Sequence, residues 1–346
     1  MKCVVTSDIH THMFKDFDRL TEDGKSYRLS LYEKSLWFVW EYCKLNGINI
    51  WTDAGDFFHS RESISLPVLD LVGKTFNEFE KKEGISGKIF KYFLKGNHDT
   101  YNKSGNITSL NILSQYGKVI NEQCIINVDV FGMKTVNFIP WNETINFVDV
   151  VNKNGKTNLI IGHRMLSGAK THNQILDGEL LENLNNSMFD CALIGHVHEH
   201  QKIRDKVYYI GSLISHNFGD KDKKGFLVYD FDTKMFEFVE NPYSPKYIQL
   251  KIETLEQFEQ IKEELKKDNC NFYDIKFELK KGEKRPEFEC LQNVKISVIK
   301  ESNSENRLKG ANLLTPEVLL EKFKEMENIS EEVFNVGRET LIECLK

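Results

Sequence analysis

Five short polar segments constrain most strongly how this chain of 346 residues can fold. Each of them directly follows a run of apolar and β-branched residues. The runs have the length and composition of buried strands, and they lie at 2–6, 48–52, 88–94, 158–161 and 191–194. Strands that alternate with helical patterns predict an α/β fold, with helices on the faces of a layered sheet. Ligands bind such sheets beyond the carboxyl ends of the strands, so we expect the five polar segments to meet at one site.

Two helices are predicted between the first three strands. Apolar residues recur at helical spacing from 29 to 43, and Gly47 stands where a helix would end. A second helix should start near Pro67, bury one apolar stripe and stop before Gly84. Both patterns are typical of helices that cover a sheet.

Three further strands, at 207–210, 226–229 and 235–239, predict a second, partly antiparallel sheet layer. A single core usually stops growing at roughly 250 to 300 residues, so we expect one large domain and something smaller. The segment NPYSPK at 241–246 supplies two prolines in a polar stretch, which predicts a domain boundary. We assign residues 1–242 to the large domain.

After this boundary the pattern predicts a small α+β domain at 246–305. Thr254 and Gln257 form a capping box that opens a helix running to about Lys267. The accompanying strands are predicted at 246–252, 272–279 and 294–299.

The tail, at 312–346, is predicted to be a C-terminal helical element. Thr315 and Pro316 begin one helix, and Ser330 caps another. Two short helices at a terminus are typical of an element that docks on another surface.

Composition excludes some classes of protein. An apolar fraction of 40% and a charged fraction of 28% are ordinary for a soluble protein, and no stretch approaches the roughly 18 apolar residues of a membrane span. The first residues turn polar too early for a signal peptide, so we expect a cytoplasmic protein. Seven scattered cysteines without a CxxC pair indicate reduced thiols. The net charge of −6 neither supports nor excludes nucleic acid.

The polar segments carry the chemistry, and they read Asp8-Ile9-His10, Gly55-Asp56, Gly96-Asn97-His98-Asp99, Gly162-His163 and Gly195-His196-Val197-His198. Their candidate metal ligands are Asp8, His10, Asp56, Asn97, His163, His196 and His198. Carboxylates, imidazoles and an amide oxygen without thiolates suit manganese, iron or zinc. Seven ligands are too many for one ion with an open position, whereas two ions about 3.5 to 4 Å apart with one bridging carboxylate use them all. We assign the bridge to Asp56, and the chemistry is phosphate ester hydrolysis.

The order of these segments resembles the calcineurin-like metallophosphoesterase superfamily over roughly residues 1 to 230. The resemblance implies a two-sheet sandwich flanked by helices, and it implies that His98 protonates the leaving oxygen or stabilises its charge. One ion would be held by Asp8, His10, Asp56 and His198. The other ion would be held by Asp56, Asn97, His163 and His196.

Further residues are similar to the SbcD branch of that superfamily, the nuclease subunit that works with an SbcC-type ATPase in double-strand-break repair. They are Phe57-Phe58-His59, Gly211-Ser212, Phe218-Gly219-Asp220 and Lys224-Gly225-Phe226. This similarity implies that His59 contacts the phosphate, that the small α+β domain caps the site and binds DNA, and that the terminal helices bind the ATPase. It also implies a homodimer and two divalent metal ions. We expect these ions to be Mn²⁺, with Mg²⁺, Fe²⁺ or Zn²⁺ as the alternatives. The compact length resembles the bacteriophage version, and a viral origin would place the chain in the host cytoplasm.

Three functions stay open at this point. The first is a manganese-dependent DNA nuclease, and the second is a metallophosphoesterase acting on nucleotides, phosphoproteins or small phosphodiesters. The third is a DNA-end-binding scaffold, against which the complete ligand set argues.

Other polar residues near the segments have two interpretations each. Asp99 either orients His98 or caps its loop, and Trp141 either stacks on a base or packs internally. Lysines that either meet DNA phosphates or lie in a solvated loop are Lys221, Lys223 and Lys224. Histidines without an assigned role, because the ligand shells are already full, are His12, His172, His200 and His216.

Overall fold

The computed structural model describes residues 1–84, 87–102, 107–129, 131–171, 174–268, 270–279, 286–300, 324 and 330–344. The strands, in chain order, are β1 (Lys2–Thr6), β2 (Ile50–Asp53), β3 (Phe90–Leu94), β4 (Lys118–Ile120), β5 (Cys124–Asn127), β6 (Thr135–Ile139), β7 (Thr157–His163), β8 (Lys170–Thr171), β9 (Gln174–Ile175), β10 (Phe189–Gly195), β11 (Gln201–Arg204), β12 (Val207–Tyr209), β13 (Gly225–Asp230), β14 (Met235–Glu240), β15 (Tyr247–Ile252), β16 (Phe272–Leu279) and β17 (Val294–Lys300). The α-helices are α1 (Tyr27–Leu45), α2 (Leu66–Glu83), α3 (Phe147–Lys153), α4 (Leu255–Lys267) and α5 (Glu331–Cys344), and Ser109–Leu113 forms a 3₁₀ turn. The predicted helix start at Thr315 and His172 lie outside the described residues.

Two six-stranded sheets face each other. The first has the order β14-β13-β1-β2-β3-β4, and the second has the order β11-β12-β10-β7-β6-β5. In the first sheet β1 to β4 run parallel, and in the second β6, β7, β10 and β12 do so. The predicted α/β fold, a two-sheet sandwich flanked by helices, is therefore confirmed.

Strand β1 shows how alternation builds the layers. Cys3 and Val5 point into the core between the two sheets, where they meet Leu159 and Leu193 of the second sheet. Val4 points the other way, into the core beneath α1 and α2. Because successive side chains of a strand alternate in direction, one apolar run serves two cores. A third core lies on the outer face of the second sheet, against α3.

The helices begin and end where local signals place them. Ser26 caps α1 by accepting a hydrogen bond from the N–H of Leu29, and Gly47 beyond its end has φ +63°. Pro67 lies in the first turn of α2, and Gly84 ends it with φ +60°. Both helices bury one face against the first sheet.

The prediction that the hairpin β13–β14 belongs to the second sheet is wrong. Of the three strands assigned to that layer, only β12 belongs to it, where it pairs with β10. Strand β13 instead pairs antiparallel with β1, with Cys3 opposite Tyr229, and β14 extends the same sheet. The side chain of Leu227 then reaches the core between the sheets, as a strand beside β1 requires.

The α+β pattern after residue 246 forms a three-stranded sheet of order β15-β16-β17, and β15 runs parallel to β16. Helix α4 begins with the predicted capping box of Thr254 and Gln257. Tyr247 and Phe272, the first residues of β15 and β16, pack into the core beneath α1. The first residues of β15 and β16 thus pack against the same core as α1.

By its contacts the chain divides into two compact units. The first comprises Met1–Glu278 and Arg285–Val298, and the second comprises Leu279–Lys284 and Ile299–Lys346, including α5. The functional boundaries at 1–242, 246–305 and 312–346 stay predictions. None of the helices in the described part of the chain has the length and apolarity needed to cross a membrane.

Candidate metal centre

The five polar segments meet at the carboxyl ends of β1, β2, β3, β7 and β10. Their loops are hydrogen-bonded to one another, because the backbone N–H groups of Asp8 and His10 donate to the carbonyls of Gly55 and Asp56 at 3.0 and 2.9 Å. Non-glycine residues with positive φ gather here: Asp8 at 49°, His10 at 49°, Asp56 at 58° and His196 at 100°. Backbone strain of this kind persists where surrounding structure holds it, and it clusters at functional sites.

Glycines make the close approach of these loops possible. A Cβ at Gly96 would overlap the Asp56 carboxylate, and one at Gly55, whose φ is +108°, would overlap the imidazole of His163. Glycine is therefore required at both positions for the ligand side chains to come together.

One group of ligand atoms surrounds His10. Its Nε2 lies 3.2 Å from Nε2 of His198, 3.7 Å from Oδ2 of Asp56 and 3.9 Å from Oδ1 of Asp8. All of these side chains except His198 are almost fully buried. This is the set predicted to hold one ion.

A second group surrounds His163. Its Nε2 lies 3.4 Å from Oδ2 of Asp56 and 3.0 Å from the side-chain amide of Asn97. Nδ1 of His196 lies 2.8 Å from the same amide. Asp56 Oδ2 borders both groups, as the bridging role predicted for this residue requires.

The chemistry of the donor atoms shows that a cation fits. His163 donates its Nδ1–H to the carbonyl of Ala54 at 2.9 Å, so its Nε2 faces Asp56 and Asn97 and can hold there either a proton or a cation. Nitrogen and oxygen atoms that converge this closely repel one another unless a proton or a cation lies between them. Oxygen and imidazole nitrogen donors without sulfur suit Mn²⁺, Fe²⁺ or Zn²⁺.

Electrostatics separates the histidines into two kinds. Burial and the neighbouring His163 lower the pKa of His196 to about 3, and burial with the neighbouring His98 lowers that of His59 to about 4. Both are neutral at pH 7. Burial also disfavours the charged form of His163, but the Asp56 carboxylate outweighs it and raises the pKa of His163 to about 9. Before a cation binds, Asp56 and His163 are therefore an ion pair, and a cation takes the place of that proton.

His98 lies beside both groups without belonging to either. Its Nδ1–H donates to the carbonyl of His59 at 2.6 Å, and its backbone N–H donates to Oδ1 of Asp56 at 2.7 Å. The ring of His59 stacks on that of His98, with centroids 5.2 Å apart, and its Nδ1 lies 3.4 Å from Nδ1 of His10. These contacts fix both rings, and no residue in the described part of the chain hydrogen-bonds Nε2 of His98, which can therefore act on a substrate.

Asp99 caps the ligand loops and does not orient His98. Its carboxylate accepts from the backbone N–H groups of Asp56, Gly96 and Phe58 at 2.8, 3.0 and 3.2 Å. Of its two interpretations, the geometry therefore supports the capping role. His98 is oriented by the carbonyl of His59 instead.

The lysines of the loop before β13 differ from one another. Lys224 is buried, and its Nζ donates to the carbonyl of His198 at 2.8 Å and pairs with Asp222 at 2.7 Å and Asp220 at 3.4 Å. A buried lysine cannot contact a DNA phosphate, so that interpretation is wrong for Lys224. Lys223 is 74% exposed and pairs with Glu240 on the surface.

Sequence reasoning left His216 and Trp141 without a place in the site. The Nε2–H of His216 donates to the carbonyl of Asp8 at 3.0 Å, and its ring lies 5.1 Å from those of His10 and His198. Trp141 stacks on the ring of His196 with centroids 5.1 Å apart. In the sequence, the one indication that His216 belongs to the site was its position between the Gly211-Ser212 and Phe218-Gly219 motifs.

The remaining histidines lie further out. His12 contacts the rings of Phe14 and His59. His200 hydrogen-bonds the carbonyl of Tyr209 at 2.8 Å and stacks on Phe238, in the wall of the sandwich.

Arg28 connects the site to the small α+β unit. Its buried guanidinium donates to the hydroxyl of Tyr247 at 2.6 Å, to the carbonyl of His216 at 3.4 Å and to that of Asp16 at 3.0 Å. The first strand of that unit is thus hydrogen-bonded, through one side chain, to a residue that packs on the ligands.

Comparison with known proteins agrees with this geometry. Residues 1–200 match the sequence model of the family described as calcineurin-like phosphoesterase. The chain belongs to this family. The family is one of phosphate ester hydrolases that use divalent metals, and the histidine and aspartate groups of this chain suit such ions. The family predicted from the five segments is confirmed.

Two viral proteins are similar to this chain. The 244L protein of Invertebrate iridescent virus 6, named as a phosphoesterase, is 24% identical over 193 residues, which are 54% of this chain and 65% of that protein. Exonuclease subunit 1 of Enterobacteria phage T4 is 26% identical over 214 residues, which are 58% of each chain. The chain thus spans less than two thirds of the length of either relative.

Proposed function

We propose that this phosphoesterase is a two-metal DNA nuclease that hydrolyses phosphodiester bonds at DNA ends. The observation that carries the proposal is the single oxygen, Asp56 Oδ2, that borders two convergent ligand groups, with His98 and His59 beside them. Two divalent ions in such a site activate a water for attack on phosphorus and neutralise charge on the phosphate oxygens. We propose Mn²⁺ for both.

The residues of the chain supply orientation and a proton. His98, held at Nδ1 by the carbonyl of His59, would in its imidazolium form donate the Nε2 proton to the leaving oxygen and be left as the neutral ring. His59 has a pKa of about 4, so its neutral ring accepts or donates one hydrogen bond at the phosphate without adding charge. Asp99 keeps the loops of Asp56 and Asn97 in register while the substrate enters.

DNA is proposed as the substrate because the chain is similar to a phage exonuclease subunit over more than half of its own length. The word subunit in that relative's name supports a partner, and we propose an SbcC-type ATPase bound by the C-terminal element at 312–346. The domain at 246–305 would cap the site and bind DNA. A homodimer in the host cytoplasm completes the proposal.

A second candidate is hydrolysis of nucleotides, phosphoproteins or small phosphodiesters. The similarity to a viral protein named only as a phosphoesterase favours it, since the five segments do not specify a substrate. A scaffold role without chemistry gives no reason for two complete ligand groups.

The test is a substrate panel assayed with the purified chain in manganese, magnesium or chelator. It comprises labelled linear duplex DNA, single-stranded DNA, bis(p-nitrophenyl) phosphate and a phosphoserine peptide. The nuclease proposal predicts manganese-dependent cutting of DNA that is lost on Asp56→Asn. If the protein hydrolyses the small diester or the peptide but leaves DNA uncut, the second candidate function is favoured instead.

A further inference from the structure

Arg61 is an exposed cation in the loop between β2 and α2, five residues after the bridging Asp56. Among the residues that the structure describes, no carboxylate pairs with its guanidinium, which is ordinary for a surface arginine in water. Its position is not ordinary, because Nη2 lies 3.2 Å from one end of the Asn97 side-chain amide.

The other end of that amide faces the candidate metal centre. It lies 3.0 Å from Nε2 of His163, 2.8 Å from Nδ1 of His196 and 3.2 Å from Oδ2 of Asp56. Without a cation, the amide nitrogen suits this end, because it donates to Nδ1 of His196 and Oδ2 of Asp56 while the oxygen accepts from Arg61. With a cation, the oxygen must occupy this end, because only the oxygen of an amide ligates a metal.

The amide nitrogen then faces Arg61. Two N–H donors, one on Asn97 and one on Arg61, lie 3.2 Å apart and no protein acceptor in the described structure serves both. An anionic oxygen placed against them satisfies both donors at once. Arginine binds phosphate oxygens in this way, through a planar fork of donors that keeps its charge at any working pH.

We propose that Arg61 and the side-chain amide nitrogen of Asn97 together bind a non-bridging oxygen of the substrate phosphate. Arg61 is then a catalytic residue that stabilises the charge gathering on that oxygen as the phosphodiester is attacked. This inference rests on the proposed function as far as the substrate carries a phosphate, but it does not depend on the substrate being DNA.

The test is the affinity of the manganese-loaded protein for inorganic phosphate, measured by isothermal titration calorimetry. The variants are Arg61→Gln, Arg61→Lys and the control Lys74→Gln, which removes one positive charge from a 73% exposed side chain on α2, the helix that follows the same loop. Arg61→Gln should weaken phosphate binding about tenfold or more and lower kcat/KM on bis(p-nitrophenyl) phosphate about a hundredfold. Arg61→Lys should lose less, because it keeps the charge without the fork. Lys74→Gln should match wild type, and the amount of manganese bound should be equal in all four proteins.

Equal phosphate affinity in Arg61→Gln and wild type would overturn the inference, and so would a wild-type protein that binds no phosphate. If the wild-type protein binds phosphate through Arg61 but does not cut DNA, the nuclease proposal is overturned and the role of Arg61 stands.

Discussion

Replacing Lys224 with methionine tests whether the buried lysine behind His198 holds the metal centre in shape. Methionine fills nearly the same volume but removes the charge and all three contacts of Nζ, which join it to the carbonyl of His198, to Asp222 and to Asp220. The side chain of Lys224 is 1% exposed, that of Asp220 is 7% exposed and that of Asp222 is 28% exposed.

The magnitude follows from these burials. Removing one partner of a fully buried ion pair costs about 3 to 5 kcal/mol, and a hydrogen bond from a charged donor is worth about 1.5 to 3 kcal/mol. The two contributions overlap and Asp222 is partly hydrated, so we expect Lys224→Met to lower the free energy of unfolding by about 3 kcal/mol. Asp220 also lies 3.9 Å from Nδ1 of His198 and accepts from the N–H of His216 at 2.7 Å. Loss of its lysine should therefore weaken manganese binding about tenfold or more, as loss of an outer partner of a ligand does.

The assay is urea unfolding in chelator, so that metal binding does not add to stability, followed by manganese titration of the folded protein. Lys223→Met is the matched control, because Lys223 adjoins Lys224 but pairs with Glu240 at the surface. An exposed pair contributes about 0.2 to 1 kcal/mol, so the control should stay close to wild type. Lys224→Met that is as stable as Lys223→Met, with unchanged manganese affinity, would refute this account of the buried lysine.

Three further predictions concern catalysis, core stability and pH. His98→Gln should lower kcat on bis(p-nitrophenyl) phosphate about a hundredfold in steady-state assays while manganese binding stays unchanged; equal loss of bound metal would instead make His98 a ligand. Lys91→Met leaves Glu83, whose side chain is 1% exposed, without its cation, so chemical denaturation should show a loss of about 3 to 5 kcal/mol, much of it restored by adding Glu83→Gln; a neutral single variant would argue against the buried pair. Burial raises the pKa of Asp268, but hydrogen bonds from the Tyr273 hydroxyl and from two backbone N–H groups outweigh burial and bring it below its usual 3.8. Its stabilisation is therefore present above pH 3.8 and lost as pH falls through the folded-state pKa, so wild type and Asp268→Asn should differ by about 1 kcal/mol near pH 7 and converge in acid unfolding curves; a constant difference at all pH values would contradict this.

The convergence of the candidate ligands was predictable because each of them follows a strand. A buried parallel strand leaves a clear apolar run, and the next polar residues must lie at the carboxyl edge of its sheet. Asp8, Asp56 and His163 could therefore be assigned to one site without any knowledge of the loops between them.

The residues behind the ligands were not predictable in the same way. His216, Trp141 and Lys224 reach the site through loops whose paths depend on tertiary packing, and their local sequence carries no periodic signal. Lys224 shows the difficulty most clearly, since a lysine in the polar run 220–224 has every local mark of a solvated residue.

The strands that sequence reasoning missed and those that it misplaced have different physical causes. β4 has three residues and β5 four, and neither contains more than three consecutive apolar residues, so both were too short to predict. For the hairpin β13–β14, the strands themselves were predicted, but pairing of β13 with β1 joins residues more than two hundred positions apart. Local patterns do not encode the partner of a strand at that separation.

The most direct test of the two-metal account is the rate of linear DNA cleavage by the purified chain as manganese is titrated against it. Because Asp56 Oδ2 borders both ligand groups, we expect little cutting with one manganese bound per chain and full activity with two. Full activity at one manganese per chain, or cutting that persists in chelator, would contradict the account.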